Sequence, residues 1–325
     1  MTTSRRHLLR SAATTALATA LTVAAPSGMR TARAQETGQA PGFYRFRVGR
    51  ALCTVISDGN LVVPVENYAV NADPAELSAF REAMALEAAR HPTQTNVLHI
   101  ATGDRSILVD CGSGGRFVET AGHLARNMEA AGIDPAEIDL VVLSHAHPDH
   151  CWGLLDEFDE PAYPGAEVLI GAQEHAFWTD EGLASRVPEA MQAMVAGAQR
   201  QLAGVADRLR TFEDGEELAP GLRAHAAFGH TPGHTTFTFE SDGEVLFVSA
   251  DTFNHPLISL ARPEWHLGFD VEKEQAAQTR RRVLEMLASE KLRTLGYHMP
   301  WPGLGRVVRD GDGFRWIAES VVWNL

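Results

Sequence analysis

Apolar and polar positions alternate along this chain in short runs bounded by turn residues, and between them lie stretches with apolar residues three and four apart. Gly42 to Val48 and Ala51 to Ser57 read as two strands joined at Gly49. Asp58-Gly59-Asn60 reads as a turn before a short strand at Leu61 to Val65. The Ala- and Glu-rich segment Pro74 to Arg90 predicts a helix. Asn96 to Thr102 and Ser106 to Asp110 pair as a hairpin about Gly103-Asp104. Beyond the Gly-rich turn Cys111 to Gly115, the residues Phe117, Ala121, Leu124, Met128 and Ala131 recur at spacings of four and three, one face of a helix. Asp139 to Leu143 and Glu167 to Ile170 are apolar runs of strand length. Glu174 to Trp178 and Val187 to Leu202 read as helices. Thr235 to Glu240 alternates, with Phe237 and Phe239 on one face, and turns through Ser241-Asp242-Gly243 into Glu244 to Ser249. A long helix, Val271 to Ser289, turns Ala276, Val283, Leu284 and Leu287 inward. Arg293 to Tyr297 and segments around Arg306 and Arg315 complete the chain. Strands in meandering groups with helices between them predict an α+β fold, a four-layer αββα sandwich of two mixed sheets.

The first 34 residues break this pattern. Arg5-Arg6 precede an Ala/Thr/Leu stretch from Ser11 to Ala25, and Ala32-Arg33-Ala34 offers a small-x-small cleavage site. This is the layout of a secretory signal, and the paired arginines suit twin-arginine export. The expected organisation is therefore a signal over 1–34 and a single domain over 35–325, periplasmic or secreted. The stretch falls short of the roughly 20 strongly apolar residues of a membrane span, so no stable membrane insertion is expected once the signal is removed. The signal holds five arginines and no acidic residue, so its removal takes the net charge from −14 to −19. Nucleic acid is then excluded as an expected partner, because no basic patch is available to release counterions. Cys53, Cys111 and Cys151 are too few for a disulfide framework and read as small buried apolar residues.

The chemistry concentrates in Ser144-His145-Ala146-His147-Pro148-Asp149-His150. At the end of an extended strand, residues two apart point the same way, so His145 and His147 can converge on one ion. Pro148 suits the first position of a helix and turns Asp149 and His150 toward a second. Neutral imidazole and carboxylate are ligands for zinc and similar divalent metals. Downstream, His234 follows a Gly/Pro loop, Asp251 ends an apolar strand, and His298 ends another. Two ions with three protein ligands each, joined by one bridging carboxylate, account for His145, His147, Asp149, His150, His234, Asp251 and His298. Asp251 is the natural bridge, because a carboxylate has two oxygens. Two such ions about 3.5–4 Å apart can share a water and lower its pKa toward 7, the chemistry of hydrolysis. Asp149 and Asp251 are the expected catalytic carboxylates, Asp149 as proton acceptor. Asp110 is the candidate to orient a ligand histidine. His230 and His255 read as supporting or core histidines rather than ligands.

The pattern His-x-His-x-Asp-His followed by His234, Asp251 and His298 resembles the metallo-β-lactamase superfamily. Together with Ser57-Asp58-Gly59, Leu108-Val109-Asp110 and Gly229 to Thr236, it resembles the methyl parathion hydrolase branch within it. The resemblance implies one ion held by His145, His147 and His234 and a second by Asp149, His150 and His298, with Asp251 between them. It also implies two divalent ions, with zinc expected, and a homodimer. Asp251 stands where many zinc β-lactamases carry Cys, which weighs against antibiotic hydrolysis. Asn254 stands where lactonases acting on acyl-homoserine lactones often carry Tyr. Phe117 and Trp178 match aromatic positions of the branch that line its leaving-group pocket, and Trp152, Phe253 and Trp265 lie close in sequence to ligands. The expected activity is hydrolysis of an ester, lactone or phosphotriester in an apolar or aromatic small molecule. The alternative is a mononuclear iron oxidoreductase of the sulfur dioxygenase type on the same fold.

Overall fold

The computed structural model describes residues 42–86 and 89–323. The segment read as an export signal lies outside them. Seven strands form the first sheet in chain order: β1 (Phe43–Val48), β2 (Ala51–Pro64), β3 (Arg90–Ala101), β4 (Ser106–Val109), β5 (Leu140–Leu143), β6 (Glu167–Gly171) and β7 (Leu209–Phe212). Neighbours are antiparallel through β4 and parallel from β4 to β7. The second sheet runs in order from β8 (Glu217–Ala219) through β9 (Leu222–Ala226), β10 (Thr235–Ser241), β11 (Glu244–Val248), β12 (Arg293–Leu295) and β13 (Leu304–Asp310) to β14 (Gly313–Ala318). Only its β11–β12 pair is parallel.

The side-chain period of two divides each strand between layers. In β5, Leu140 and Val142 join a core that also takes Val55, Ile100, Phe237, Leu246 and Leu295 from both sheets. Val141 and Leu143 point the other way, toward Met128, Val195 and Leu202 on the outer helices. A third cluster seals the far side, where Val283, Leu284 and Leu287 pack on Phe247 and Val307. Two sheets face to face with helices on both outer faces are the αββα sandwich that the strand pattern predicts.

The structure differs from the periodicity in four places. Asp58-Gly59-Asn60 is no turn: β2 runs through it with a bulge between Ser57 and Gly59. Asp58 is buried because its carboxylate accepts the backbone N–H of Ser113, Gly122 and Leu124, tying two distant chain segments to the strand. Those tethers, with Gly122 at φ +83°, also delay the helix expected from Phe117, which starts at Leu124 (α1 here, Leu124–Ala130). The helix expected to reach Arg90 stops at Ala83, because Ala85 adopts a left-handed φ of 52°. Finally, β7, β8 and β9 fill a stretch with no clear sequence pattern. They are short, and Leu209, Leu218 and Leu222 supply most of their apolar signal.

Candidate metal centre

Strand ends from both sheets meet at one point. β5 delivers His145 and His147. Pro148 then opens a single helical turn, Pro148–Cys151 (α2), whose first residues carry Asp149 and His150. From the second sheet come His230 in the β9–β10 loop, Asp251 just after β11 and His298 after β12. All are buried. Three groups have ligand atoms lying within 4.8 Å of one another: His145, His147 and His230; His145, His150 and Asp251; Asp149, His150 and His298.

The geometry is that of lone pairs aimed at a common point. His145 Nε2 lies 3.0 Å from His147 Nδ1, which lies 2.9 Å from His230 Nε2. His230 donates from Nδ1 to Asp270 Oδ1 at 2.9 Å, so its Nε2 lone pair faces inward. Asp270 is itself held by Arg280 at 2.9 Å. His150 donates from Nδ1 to Asp110 Oδ2 at 2.9 Å, turning its Nε2 toward Asp251 Oδ1 at 3.0 Å and Asp149 Oδ2 at 3.5 Å. His298 donates from Nδ1 to the Gln94 carbonyl at 2.7 Å and sets its Nε2 3.1 Å from Asp251 Oδ2. Asp149 Oδ2, His150 Nε2 and Asp251 Oδ1 are buried without a well-directed hydrogen bond. Buried polar atoms without partners are costly. Ring nitrogens with inward lone pairs beside carboxylate oxygens form a donor set that suits divalent cations.

Electrostatics follow the same division. Burial above all, with neighbouring imidazoles, holds His145 and His147 well below the usual histidine value, so both stay neutral as ligands require. Burial also opposes a charge on His150, but Asp251, Asp149 and Asp110 outweigh it and raise its pKa. His298 is raised in the same way, chiefly by Asp251. Asp251 is held well below the carboxylate range: burial opposes its ionisation, but His298 and His150 prevail. Half of the centre is thus carboxylate-rich and half imidazole-rich.

One expected ligand is corrected. His234 does not join any of the three groups. Its Nδ1 donates to the Ala227 carbonyl at 2.9 Å, and its Nε2 accepts the Asp251 backbone N–H at 3.0 Å. Both nitrogens are spent on fixing the loop that presents Asp251. His230, four residues earlier in the same Gly/Pro loop, occupies the position expected of it. Asp110 accepts the Ser144 backbone N–H at 2.7 Å and hydroxyl at 2.8 Å as well as His150, so one carboxylate ties the motif to β4.

The expected aromatic pocket is corrected too. A cavity of about 560 Å³ opens over the cluster, reaching His147, Asp149, His230, Asp251 and His298. Of the five aromatic candidates only Phe117 lines it. Trp178 is fully buried, donates to Glu174 and packs edge-on against His147. Phe253 packs against Trp316 under the second sheet, and Trp265 against Phe80. Trp152 lies behind Phe117, edge to ring. The walls are instead aliphatic: Leu61 and Val63 from β2, Met191 and Met194 from the helix Glu189–Gly204 (α3), and Leu267 beside Phe269.

A residue that periodicity overlooks holds the centre together. Glu174, wholly buried, accepts the Ala146 N–H at 2.9 Å and the Trp178 indole N–H at 2.6 Å on one oxygen. Its other oxygen accepts the Thr231 hydroxyl at 2.6 Å and the Gly233 N–H at 3.0 Å. It thereby clamps the loop between His145 and His147 to the loop that carries His230. Its only sequence signal is an acid four residues before a tryptophan on a predicted helix.

An αββα sandwich with a His/Asp cluster at its strand ends defines a class of metal-dependent proteins. The profile of the Metallo-beta-lactamase superfamily matches residues 90–298, and the chain belongs to that superfamily. It is similar to the solved structure of AidC, a dizinc quorum-quenching lactonase in complex with a product, at 29% identity and a TM-score of 0.81, covering 86% of this chain and 98% of that one. The hydrolase AbOPH of the beta lactamase superfamily shares the fold at 24% identity and a TM-score of 0.80, over 87% of this chain and 99% of that one. A curated ribonuclease of Thermus thermophilus is 31% identical over 169 residues, 51% of this chain and 37% of its own length. The chain therefore spans little more than a third of that relative. Among the described residues no helix is long and apolar enough to cross a membrane.

Proposed function

We propose that this chain is a dinuclear-metal hydrolase that cleaves an ester or lactone bond in a small molecule with a substantial apolar group, with phosphotriesters as the second substrate class. One observation carries the reading: ligand atoms converging in three overlapping groups, with Asp251 Oδ2 3.2 Å from His230 Nε2 and 3.1 Å from His298 Nε2, at the floor of an aliphatic cavity large enough for a small-molecule ligand. His145, His147 and His230 would hold one ion. Asp149, His150 and His298 would hold the other, with Asp251 facing both. When bound, two divalent ions acidify a water and polarise the carbonyl or phosphoryl oxygen. The chain supplies the rest. Asp270, Asp110 and the Gln94 carbonyl fix the tautomers of His230, His150 and His298, so no reorientation is needed on binding. Asp149, whose Oδ2 lies 3.5 Å from both His150 Nε2 and His298 Nε2, would also take the proton of the attacking water through its carboxylate. The aliphatic walls exclude bulk water from the reacting carbon and seat the apolar part of the substrate.

The similarity to a dizinc lactonase supports zinc and a lactone or ester. The likeness to the hydrolase AbOPH extends only to the fold. Export to the periplasm and a homodimer remain part of the proposal, resting on the Arg5-Arg6 segment and on resemblance. The test joins metal analysis of the purified chain to a screen of aryl esters, lactones and phosphotriesters. Two zinc-like ions per chain are expected, with turnover abolished in His145→Ala and Asp251→Ala. A single iron, or undiminished turnover in either variant, refutes the reading.

A further inference from the structure

Two hydroxyls in the cavity wall are not used by the metal ligands. Tyr68 ends the short helical turn Val65–Tyr68 after β2, and Thr93 lies in β3. Both line the cavity over the cluster, and both are almost wholly buried, at 3% and 2% exposure. Their oxygens are hydrogen-bonded to each other, and among the described residues neither makes another hydrogen bond. The protons can be counted. Each hydroxyl brings one O–H, and the bond between them uses one. One buried proton is left without an acceptor, which is unfavourable unless a ligand supplies one.

Most other polar side chains of the wall are engaged. Asn254 donates from Nδ2 to Asp251 Oδ2 at 2.8 Å, and its Oδ1 can only accept. Asp270 is shared by His230 and Arg280, Lys273 donates to the Asp270 carbonyl at 2.8 Å, and Arg186 pairs with Asp180. The hydroxyl pair is therefore a hydroxyl donor left free among the described cavity-lining residues. It is also rigid. His255 packs edge-on against the Tyr68 ring at 4.8 Å, and its own Nδ1 accepts the Leu257 and Ile258 N–H groups at 3.1 Å each, so it cannot swing away. Burial above all, with the Asp251 and Asp149 carboxylates acting in the same direction, keeps the phenol protonated and hence a donor. The pair sits beside the cluster, since Thr93 precedes Gln94, whose carbonyl accepts from His298, and both hydroxyl residues share a cavity with Asp149 and Asp251.

We propose that the Tyr68–Thr93 pair donates a hydrogen bond to the acyl oxygen of the bound ester or lactone, Thr93 donating to the phenolic oxygen and Tyr68 to the substrate. The acyl oxygen gains negative charge as the carbonyl carbon is attacked, so a fixed donor there favours the transition state over the ground state. This inference rests on the hydrolase reading and goes beyond it by assigning a substrate-contacting residue that donates no ligand to metal.

The test uses the metal-loaded full chain and an aryl ester or lactone that the wild type turns over. Tyr68→Phe is expected to lower kcat by about 10- to 100-fold with little change in KM, since a donor of this kind acts on developing charge. Metal content and the unfolding midpoint should match wild type. Thr93→Val should show a smaller loss of the same kind, and Thr93→Ser should restore most of it. The Tyr68→Phe/Thr93→Val double variant should be no worse than Tyr68→Phe. Kinetics within twofold of wild type in Tyr68→Phe, or a Thr93→Ser variant as impaired as Thr93→Val, overturns the hydroxyl assignment alone. A wild-type chain that turns over none of these substrates overturns the hydrolase reading instead, so the two failures are distinguishable.

Discussion

Replacing Glu174 by Gln isolates one buried carboxylate whose bonds are all accounted for. Two donors reach each oxygen: Ala146 N–H and Trp178 Nε1–H on one, Thr231 Oγ1–H and Gly233 N–H on the other. The amide nitrogen of Gln is best placed against Thr231, whose hydroxyl can turn and accept. The Gly233 N–H, at 3.0 Å, then faces another N–H and is left without an acceptor. An unmatched buried donor costs about 1–3 kcal/mol. The remaining bonds lose the strength that a charged acceptor lends them, about half of each. Together these give a loss of about 2–4 kcal/mol in folding stability. Room for a compensating shift is small, because a Cβ on Gly233 would sit 2.1 Å from the Glu174 backbone nitrogen. The two tethered loops carry His145, His147 and His230, so ion affinity should fall at least tenfold. Urea unfolding of the metal-free variant gives the first quantity, and competition titration with a chromophoric chelator gives the second. A variant within about 0.5 kcal/mol of wild type, the range of neutral surface changes, and with unaltered affinity would show that the clamp does not organise the centre.

The remaining predictions concern the centre and acid stability. His230→Ala should lose the first ion, read as one equivalent fewer by metal analysis and an altered cobalt d–d spectrum. His234→Ala should keep both equivalents while binding them less tightly, because only the Asp251 loop is loosened. The reverse result would return His234 to the ligand set. Zinc in hundredfold excess over its dissociation constant should raise unfolding stability by about 2.7 kcal/mol, and a chelator should abolish the gain in calorimetry. A midpoint indifferent to chelation refutes metal binding at these residues. Burial above all, with Arg45 nearby, lowers the pKa of His99 in β3 to about 4, below its unfolded value. Folded His99 thus favours its neutral form, and its contribution is complete above roughly pH 6.5. That contribution is lost as pH falls through about 4. The loss is on the order of 3 kcal/mol. His99→Gln should flatten the stability profile in that window, and a profile of unchanged slope would contradict it.

The centre's first half is readable because it is local. His145 to His150 lie within one strand end and one Pro-started turn, so spacing alone sets their directions. The third histidine is not readable, since His230 and His234 flank the same Thr-Pro-Gly. What separates them is Asp270, 40 residues further on, which turns His230 inward, and the Ala227 carbonyl, which turns His234 away. The pocket misled for a related reason. Nearness in sequence to a ligand put Phe253 and Trp265 forward, yet the helical turn Ala250–Thr252 breaks the extended chain before Phe253, Trp265 lies beyond a second turn, Ile258–Ala261, and both enter cores. The true walls come from β2 and α3, which no ligand adjoins. The Asp58 bulge shows the limit of turn chemistry: Asp-Gly-Asn fits a hairpin and equally a bulged strand, and only the three tethered N–H groups decide.

The ligand atoms come from both sheets, and this has a consequence for assembly. His145 to His150 belong to the first sheet, while His230, Asp251 and His298 belong to the second. Among the described residues the seam between them is crossed by hydrogen bonds such as Thr235 N–H to the Ser144 carbonyl at 3.0 Å and the Tyr297 hydroxyl to the Asp149 carbonyl at 2.6 Å, beside the Glu174 clamp and the core that both sheets share. On the proposed assignment, an ion here acts as a rivet between two halves of the chain. Each half alone offers only part of the ligand set, so tight loading on this assignment is coupled to docking of the whole span from 145 to 298. Metal capture then reports completed folding, and a chain trapped with its sheets undocked would hold metal only weakly, through the ligands of one half.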